Sequence, residues 1–165
     1  MRKDISVIIL AAGKGTRMKS AMPKVMHKIC GGPMLGYVID LARSLKPKDT
    51  VVVLGHKSDL IKDEIPLKAR IAIQGRLLGT ADAVKTGLSK ISKFKGSVLI
   101  LYGDVPLLKK ETISELLKRH FESNADATLL TADVKEPKGY GRVLRDKYSS
   151  ICGIAEEKDA DEFQK

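Results

Sequence analysis

A glycine-rich segment with nearby cations is the part of this sequence best suited to bind an anion. The segment LAAGKGTR ends at Arg17, and Lys24 follows shortly afterwards. Gly13 and Gly15 allow positive φ angles and a close approach of the backbone to a ligand, so that exposed N–H groups form an anion-binding concavity. Arg17 can grip phosphate oxygens with its planar fork, while Lys14 and Lys24 add positive charge. The spacing favours phosphate binding over the alternative, a glycine turn with solvated cations.

The two commonest phosphate loops do not fit this segment. A Walker A loop needs G-x-x-x-x-G-K-[ST], a spacing that Gly13 and Gly15 do not supply. A dinucleotide fingerprint needs G-x-G-x-x-G, and Met18 stands where its third glycine would be. The sequence therefore predicts a phosphate loop of another kind.

Gln74 and the segment Leu78-Gly79-Thr80 form a second candidate group. A Gln side chain offers both a donor and an acceptor, so it can read the edge of a uracil. Gly79 permits a close backbone approach, and the Thr80 hydroxyl could face a ligand. Alternatively, Gln74 is a polar residue at a strand end and Thr80 is a helix N-cap. The residues by themselves favour this second interpretation.

Asp104 follows the apolar run SVLILY and a glycine, which places a carboxylate at the end of a predicted strand. Magnesium binds one or two carboxylates together with phosphate oxygens and several waters, so a single Asp supplies half of such a site. The alternative is an Asp that caps a turn before Pro106. The neighbouring motifs favour the metal role.

Near the end of the chain, the sequence GYGR from Gly139 to Arg142 indicates a tight turn with free backbone N–H groups. Glu156 follows a predicted strand further on. The alternative for Glu156 is a solvated charge, because other acidic residues lie close to it.

Apolar runs alternate with amphipathic stretches along the chain. The apolar runs predict strands over 5–11, 50–54, 70–73, 97–102, 127–134, 142–144 and 151–155. The amphipathic stretches predict helices over 33–45, 58–64, 80–91 and 110–121. This alternation predicts an α/β fold, a Rossmann-like three-layer sandwich with a mostly parallel sheet. In such sheets ligands bind outside the carboxyl ends of the strands, where the three candidate groups would meet.

The composition narrows the classes of partner. The formal charge of +10 favours anionic partners, but the basic residues are spread along the chain and only 4% of residues are aromatic. We therefore expect no nucleic-acid partner. No apolar run approaches the ~20 residues needed to span a bilayer, so we expect no membrane partner and a cytoplasmic protein. The two cysteines are expected to be reduced, partly buried thiols.

The segment LAAGKGTRMKSAMPKVMHKICGGPML resembles the signature of the sugar-phosphate nucleotidyltransferases, and its continuation is similar to the bacterial N-acetylglucosamine-1-phosphate uridylyltransferases. The segments Q-G-R-L-L-G-T-A, LYGDVPLL and GYGR…GIAEEKDA resemble the same family in the same order. One departure is Asp82, which stands where the family has His and puts local packing or pocket electrostatics in doubt.

The resemblance implies a set of site residues. It implies nucleotide contacts from Leu10, Ala11, Ala12 and Gly13, and phosphate contacts from Arg17 and Lys24, which are the candidate catalytic residues. It also implies uracil contacts from Gln74, Gly79 and Thr80, a Mg²⁺ ligand in Asp104, a sugar-pocket border at Tyr102, and sugar contacts from Gly141 and Glu156.

The resemblance further implies the reaction: UTP and N-acetylglucosamine 1-phosphate would give UDP-N-acetylglucosamine and pyrophosphate. We expect one nucleotidyltransferase domain over 1–165 that is incomplete at its C-terminal end. We also expect no acetyltransferase β-helix, a homo-oligomer only through the C-terminal region that this chain lacks, and weak or absent catalysis by this chain alone. Two alternatives remain open: transfer to another sugar phosphate or from another nucleotide, and a nucleotide-sugar-binding module without catalysis.

Overall fold

The computed structural model describes residues 4–55, 57–63, 65, 69–91, 94–157 and 159–162. The chain divides into two compact units, Met1–Asn124 and Ala125–Lys165. The expectation of one domain over 1–165 stays a prediction.

The first unit is built on a four-stranded parallel sheet. Its strands are β1 (Ile5–Ala11), β4 (Thr50–Leu54), β5 (Arg70–Ile73) and β6 (Ser97–Tyr102), in the spatial order β5-β4-β1-β6. Two further strands, β2 (Lys28–Ile29) and β3 (Gly32–Pro33), form a short antiparallel hairpin. All seven residues of β1 are buried, as expected for a central strand covered on both faces.

Helices cover both faces of this sheet. They are α1 (Met34–Ser44), α2 (Asp59–Lys62), α3 (Thr80–Leu88) and α4 (Lys110–Glu122). Successive side chains of β1 point to opposite faces. Val7 and Ile9 pack in a cluster with residues of α1, α2 and α4, whereas Ile8 packs in a second cluster with Ala83 of α3. Burial of each Val or Ile side chain contributes about 1.5–3 kcal/mol. The predicted three-layer α/β sandwich is confirmed.

The second unit contains an antiparallel hairpin of β7 (Arg142–Arg145) and β8 (Ile151–Ala155). The predicted strand over 127–134 is wrong, since these residues form no regular element. They pair with no strand in the part of the chain that the structure describes, and Leu129, Leu130 and Val134 are 45%, 51% and 44% exposed. An apolar run becomes a strand only where a neighbouring strand provides hydrogen-bond partners for its backbone N–H and C=O groups.

Two smaller expectations also change. Cys30 and Cys152 are free thiols as predicted, but both are exposed rather than partly buried. The predicted helix over 58–64 is reduced to α2, a single turn, with its final predicted residue, Glu64, lying outside the described residues. Among the described residues, no helix combines the length and apolar character that a membrane crossing requires.

Candidate active site

A cleft of about 580 Å³ opens in the first unit, at the carboxyl ends of β1, β5 and β6. The chain segments that follow these strands form its walls. All the predicted nucleotide, phosphate, base and metal residues line it, and so does Tyr102: Leu10, Ala11, Ala12, Gly13, Arg17, Lys24, Gln74, Gly79, Thr80, Tyr102 and Asp104. Lys14 and Gly15 line it as well. The expected convergence of three segments on one sheet edge is confirmed, whereas the role of each residue stays a prediction.

The glycine loop leaves the buried strand β1 and turns sharply at Gly15. This residue has φ 59° and ψ 34°, a left-handed conformation that disfavours other residues. A Cβ atom at Gly15 would lie 2.6 Å from the Cβ atom of Lys24. Glycine is therefore needed here for its conformation and for the close approach of Lys24. A single 3-10 turn, Thr16–Met18, then presents Arg17 as an exposed side chain.

Lys24 and Asp104 meet in the cleft although 80 residues separate them. Lys24 Nζ donates a hydrogen bond to Asp104 Oδ2 at 2.6 Å, and the two side chains are 40% and 32% exposed. Asp104 is placed by Gly103, whose N–H donates to the carbonyl of Leu10 at 2.8 Å. A Cβ atom at Gly103 would lie 3.2 Å from that carbonyl oxygen, so the turn packs tightly against β1. The pair brings opposite charges to the cleft, where both remain accessible to a ligand.

Asp104 fits a magnesium ligand by the chemistry of its surroundings. Its carboxylate lies in a cleft beside the glycine loop, where phosphate oxygens could complete a coordination sphere. The described residues contain no group of three or more His, Cys, Asp or Glu that could hold a metal without a ligand. A metal at Asp104 would therefore depend on oxygens from a bound phosphate and from water.

Gln74 continues the ladder of β5, since its N–H donates to the carbonyl of Leu54 at 2.8 Å. Its side chain is only 5% exposed. The amide nitrogen Nε2 donates to the carbonyl of Gly79 at 3.2 Å and to Asp82 Oδ2 at 2.7 Å. Gln74 is therefore a fixed group in the wall of the cleft, and not a loosely held polar residue at the end of a strand.

The start of α3 differs from the helix-cap interpretation. Gly79 is the N-cap residue, with φ 104°, and Thr80 is the first residue of the helix. The N-cap makes no side-chain capping bond, since glycine has no side chain. Thr80 is thus not the N-cap residue, and it lines the cleft. Tyr102, at the end of β6, is 50% exposed.

Gly141 and Glu156 lie together within the second unit. A Cβ atom at Gly141 would be 3.7 Å from Glu156 Oε2, which shows how close the glycine backbone lies to that carboxylate. Glu156 itself is exposed. The neighbouring Glu157 accepts a hydrogen bond from Gly139 N–H at 2.9 Å and pairs with Arg142 at 3.0 Å. This carboxylate fixes the GYGR turn.

Two of these contacts could not be predicted from the sequence. The partnership of Gln74 with Asp82 was signalled only by the departure from the family pattern at position 82. The role of Glu157 in the GYGR turn had no signal, because an acidic stretch offers several equivalent candidates.

Comparison with known proteins supports the resemblance found in the sequence. The chain is 45% identical over 162 residues to the bifunctional protein GlmU of Clostridioides difficile, an alignment that covers 98% of this chain and 35% of that protein. The chain therefore spans about a third of the length of this curated relative.

Solved structures confirm the fold. A putative glucose-1-phosphate thymidylyltransferase from Bacillus anthracis, in complex with a sucrose, matches with a TM-score of 0.70 and 18% identity, over 93% of this chain and 64% of that chain. Rv0371c from Mycobacterium tuberculosis, in complex with manganese, matches with a TM-score of 0.59 and 18% identity, over 70% and 58% of the two chains.

The family model of the MobA-like NTP transferase domain matches residues 7–163, nearly the whole chain. All the residues that line the cleft lie within the matched range. The chain belongs to the MobA-like NTP transferase domain family.

Proposed function

We propose that this chain carries the nucleotide site for uridylyl transfer from UTP to N-acetylglucosamine 1-phosphate, and that the reaction takes place in the cytoplasm. The observation that supports this most strongly is the meeting of the glycine loop, the Lys24–Asp104 pair and the buried Gln74 amide in one cleft. Each group matches a different part of UTP: the phosphates, the metal that accompanies them, and the base.

The triphosphate would lie against the glycine loop. Backbone N–H groups of the loop would donate to phosphate oxygens. Leu10, Ala11 and Ala12 are the buried residues from which the loop begins. Arg17 supplies a planar pair of donors from its exposed 3-10 turn. In the described part of the chain Arg17 has no ion-pair partner, so phosphate binding there requires no existing ion pair to break.

Lys24 and Asp104 would change partners when substrate binds. In the structure they neutralise one another at 2.6 Å. A bound triphosphate offers Lys24 a second anion, which frees the Asp104 carboxylate to bind Mg²⁺. The ion would offset negative charge on the phosphate oxygens when it is bound.

The chemical step asks little covalent work of the protein. An oxygen of the sugar 1-phosphate attacks the α-phosphorus of UTP, the bond from that phosphorus to the bridging oxygen breaks, and pyrophosphate leaves. The attacking phosphate is already ionised, so no general base is needed. Arg17 and Lys24 accelerate this step by holding two anions together and by stabilising charge in the transition state.

The remaining assignments concern the base and the sugar. We propose that Gln74, Gly79 and Thr80 contact the uracil and that Tyr102 borders the sugar. The close pair of Gly141 and Glu156 is proposed to hydrogen-bond sugar hydroxyls.

Calorimetric titration of the 165-residue chain with UTP, CTP, GTP and dTTP in the presence of Mg²⁺ tests the proposal. UTP should bind most tightly, and Arg17→Ala should weaken its binding by about tenfold or more, since a charge-assisted bidentate contact is lost. Lys19→Ala is the matched control, because it removes one charge beside the same loop but from a residue outside the cleft lining. Tighter binding of another nucleotide would show that this nucleotide, and not UTP, is the substrate. UDP-sugar binding without pyrophosphate exchange, in this chain and when joined to the remaining two thirds of a curated relative, would favour a non-catalytic module.

A further inference from the structure

We propose that Asp82 is a positioning residue that fixes the amide of Gln74 in one orientation and thereby makes the base pocket prefer uracil to cytosine. This inference rests on the proposed function, because it concerns the base of the same nucleotide. It gives a role to Asp82, the residue at which the sequence departs from its family pattern.

Two acceptors determine the orientation of the Gln74 amide. Nε2 lies 2.7 Å from Asp82 Oδ2 and 3.2 Å from the carbonyl oxygen of Gly79. A carboxylate and a carbonyl accept hydrogen bonds but cannot donate them. A flipped amide would place Oε1 against both oxygens, so the chemistry of the partners identifies the nitrogen. The side chain is 5% exposed, and little solvent is available to compensate for a flip.

The other half of the amide is available to a ligand in the cleft. Within the described part of the chain no group donates a hydrogen bond to Gln74 Oε1. The oxygen is not sealed from solvent either, since it is absent from the fully enclosed atoms that lack a partner. Because Gln74 lines the cleft, it offers the base a lone-pair acceptor only. The negative charge of Asp82 polarises the amide and strengthens this acceptor.

Uracil and cytosine differ at the atom that such an acceptor would meet. The N3 atom of uracil carries a hydrogen and donates, whereas N3 of cytosine is an acceptor. A fixed Oε1 that lies opposite N3 therefore matches the first base and repels the second. Sites built to receive an N–H group discriminate strongly against analogues that lack it. A freely rotating Gln amide would satisfy either base, so the discrimination depends on the two acceptors that hold Nε2, of which Asp82 is the closer.

Asp82 is itself held firmly. It is the third residue of α3, and its carbonyl accepts a hydrogen bond from Thr86 Oγ1 at 2.9 Å. A carboxylate in the first turn of a helix is also favoured by the positive end of the helix dipole. A His at this position, as in the family pattern, can present either a donor or an acceptor to Gln74, whereas Asp presents only acceptors.

The test compares UTP and CTP binding by calorimetry in the wild-type chain and in Asp82→Asn. The new amide can turn its NH₂ group toward Gln74, which allows the Gln74 amide to flip and offer a donor to cytosine. We expect the ratio of UTP to CTP affinity to fall by about tenfold, a change of 1.4 kcal/mol. Affinity for tripolyphosphate, which has no base, should stay within about twofold of wild type. In a Gln74→Ala background, Asp82→Asn should leave the UTP to CTP ratio unchanged.

The outcomes separate this inference from the proposed function. If the wild-type chain prefers UTP and Asp82→Asn keeps that preference, the inference is wrong and the proposed function stands. If the variant loses affinity for tripolyphosphate and both nucleotides alike, Asp82 is a structural residue and the inference is again wrong. A wild-type chain that does not prefer UTP to CTP overturns both.

Discussion

Replacing Asp104 with Asn distinguishes a metal ligand from a structural ion pair. A metal ligand predicts a large change in UTP affinity, whereas an ion pair predicts only a small change in stability. The Lys24–Asp104 pair has a short 2.6 Å contact, but its side chains remain 40% and 32% exposed. Exposed pairs of this kind contribute at most about 1 kcal/mol to the free energy of unfolding. For a chain of this size, that corresponds to a fall in Tm of no more than about 4 °C. The variant should therefore fold nearly as stably as wild type.

Nucleotide binding should respond much more strongly, and in opposite directions with and without metal. In Mg²⁺, loss of the carboxylate ligand should weaken UTP binding by about tenfold, or 1.4 kcal/mol. In EDTA, the wild-type carboxylate repels the triphosphate. At about 4 Å in a water-like dielectric this repulsion is about 1 kcal/mol. Its removal should strengthen metal-free UTP binding about fivefold, and Lys24 is released at the same time.

The assay is calorimetric titration with UTP at constant ionic strength, once with MgCl₂ and once with EDTA. The quantity compared is the ratio of the two affinities, which should be large in wild type and near unity in Asp104→Asn. Arg17→Ala provides the contrast, since it should weaken binding under both conditions and leave the ratio unchanged. An Asp104→Asn chain that retains the full gain in affinity from Mg²⁺ would show that the metal binds elsewhere.

Glycine substitutions test the backbone that supports the cleft. Gly79→Ala should lower stability by about 1–3 kcal/mol, since φ 104° and ψ −178° form a conformation nearly restricted to glycine; thermal unfolding measures this, and an unchanged Tm would contradict it. Gly87→Ala should destabilise by about 1–2 kcal/mol, because overpacking at 2.8 Å from Ile8 exceeds the gain in helix propensity. Gly36→Ala is its matched control, because the added Cβ atom meets only ordinary contacts, the nearest at 3.4 Å. This substitution should stabilise the fold by about 0.5–1 kcal/mol. Equal effects of the two substitutions on stability would refute the packing argument.

The parallel sheet could be predicted because each of its strands is marked by a pattern of consecutive residues. The strands β1, β4, β5 and β6 have the predicted bounds. Each is a short run of apolar, largely β-branched residues that is bounded by turn signals, a pattern that both burial and β-propensity favour. Their parallel order then follows from the helices between them.

The elements that were predicted wrongly or missed depend on information that the local sequence pattern does not contain. Residues 127–134 have the composition of a strand, but they remain irregular because no ladder receives them among the described residues. The hairpin of β2 and β3 was not predicted, since two-residue strands carry no periodicity. The N-cap of α3 was assigned to Thr80 by residue type, while the backbone uses Gly79.

The site shows the same division between local and distant information. That Gln74 and Asp104 end strands could be predicted from the sequence, and this placed them at one edge of the sheet. That Gln74 Nε2 lies 2.7 Å from Asp82 could not, because the contact depends on how α3 packs after a left-handed turn. The positions of these groups could thus be predicted from sequence motifs, whereas the orientation of the Gln74 amide required the structure.

Two glycines explain how the charged pair at the centre of the cleft is assembled. Gly15 lets the loop pack directly against Lys24, where a Cβ atom would leave only 2.6 Å, and Gly103 lets the turn before Asp104 pack against the end of β1. The attraction between two partly exposed charges contributes too little to order two loops, since such pairs contribute about 1 kcal/mol or less. Backbone packing must therefore place Lys24 and Asp104 before any ligand arrives. The proposed phosphate and metal would then meet charges that are already in position, so little binding energy would be lost to ordering the site.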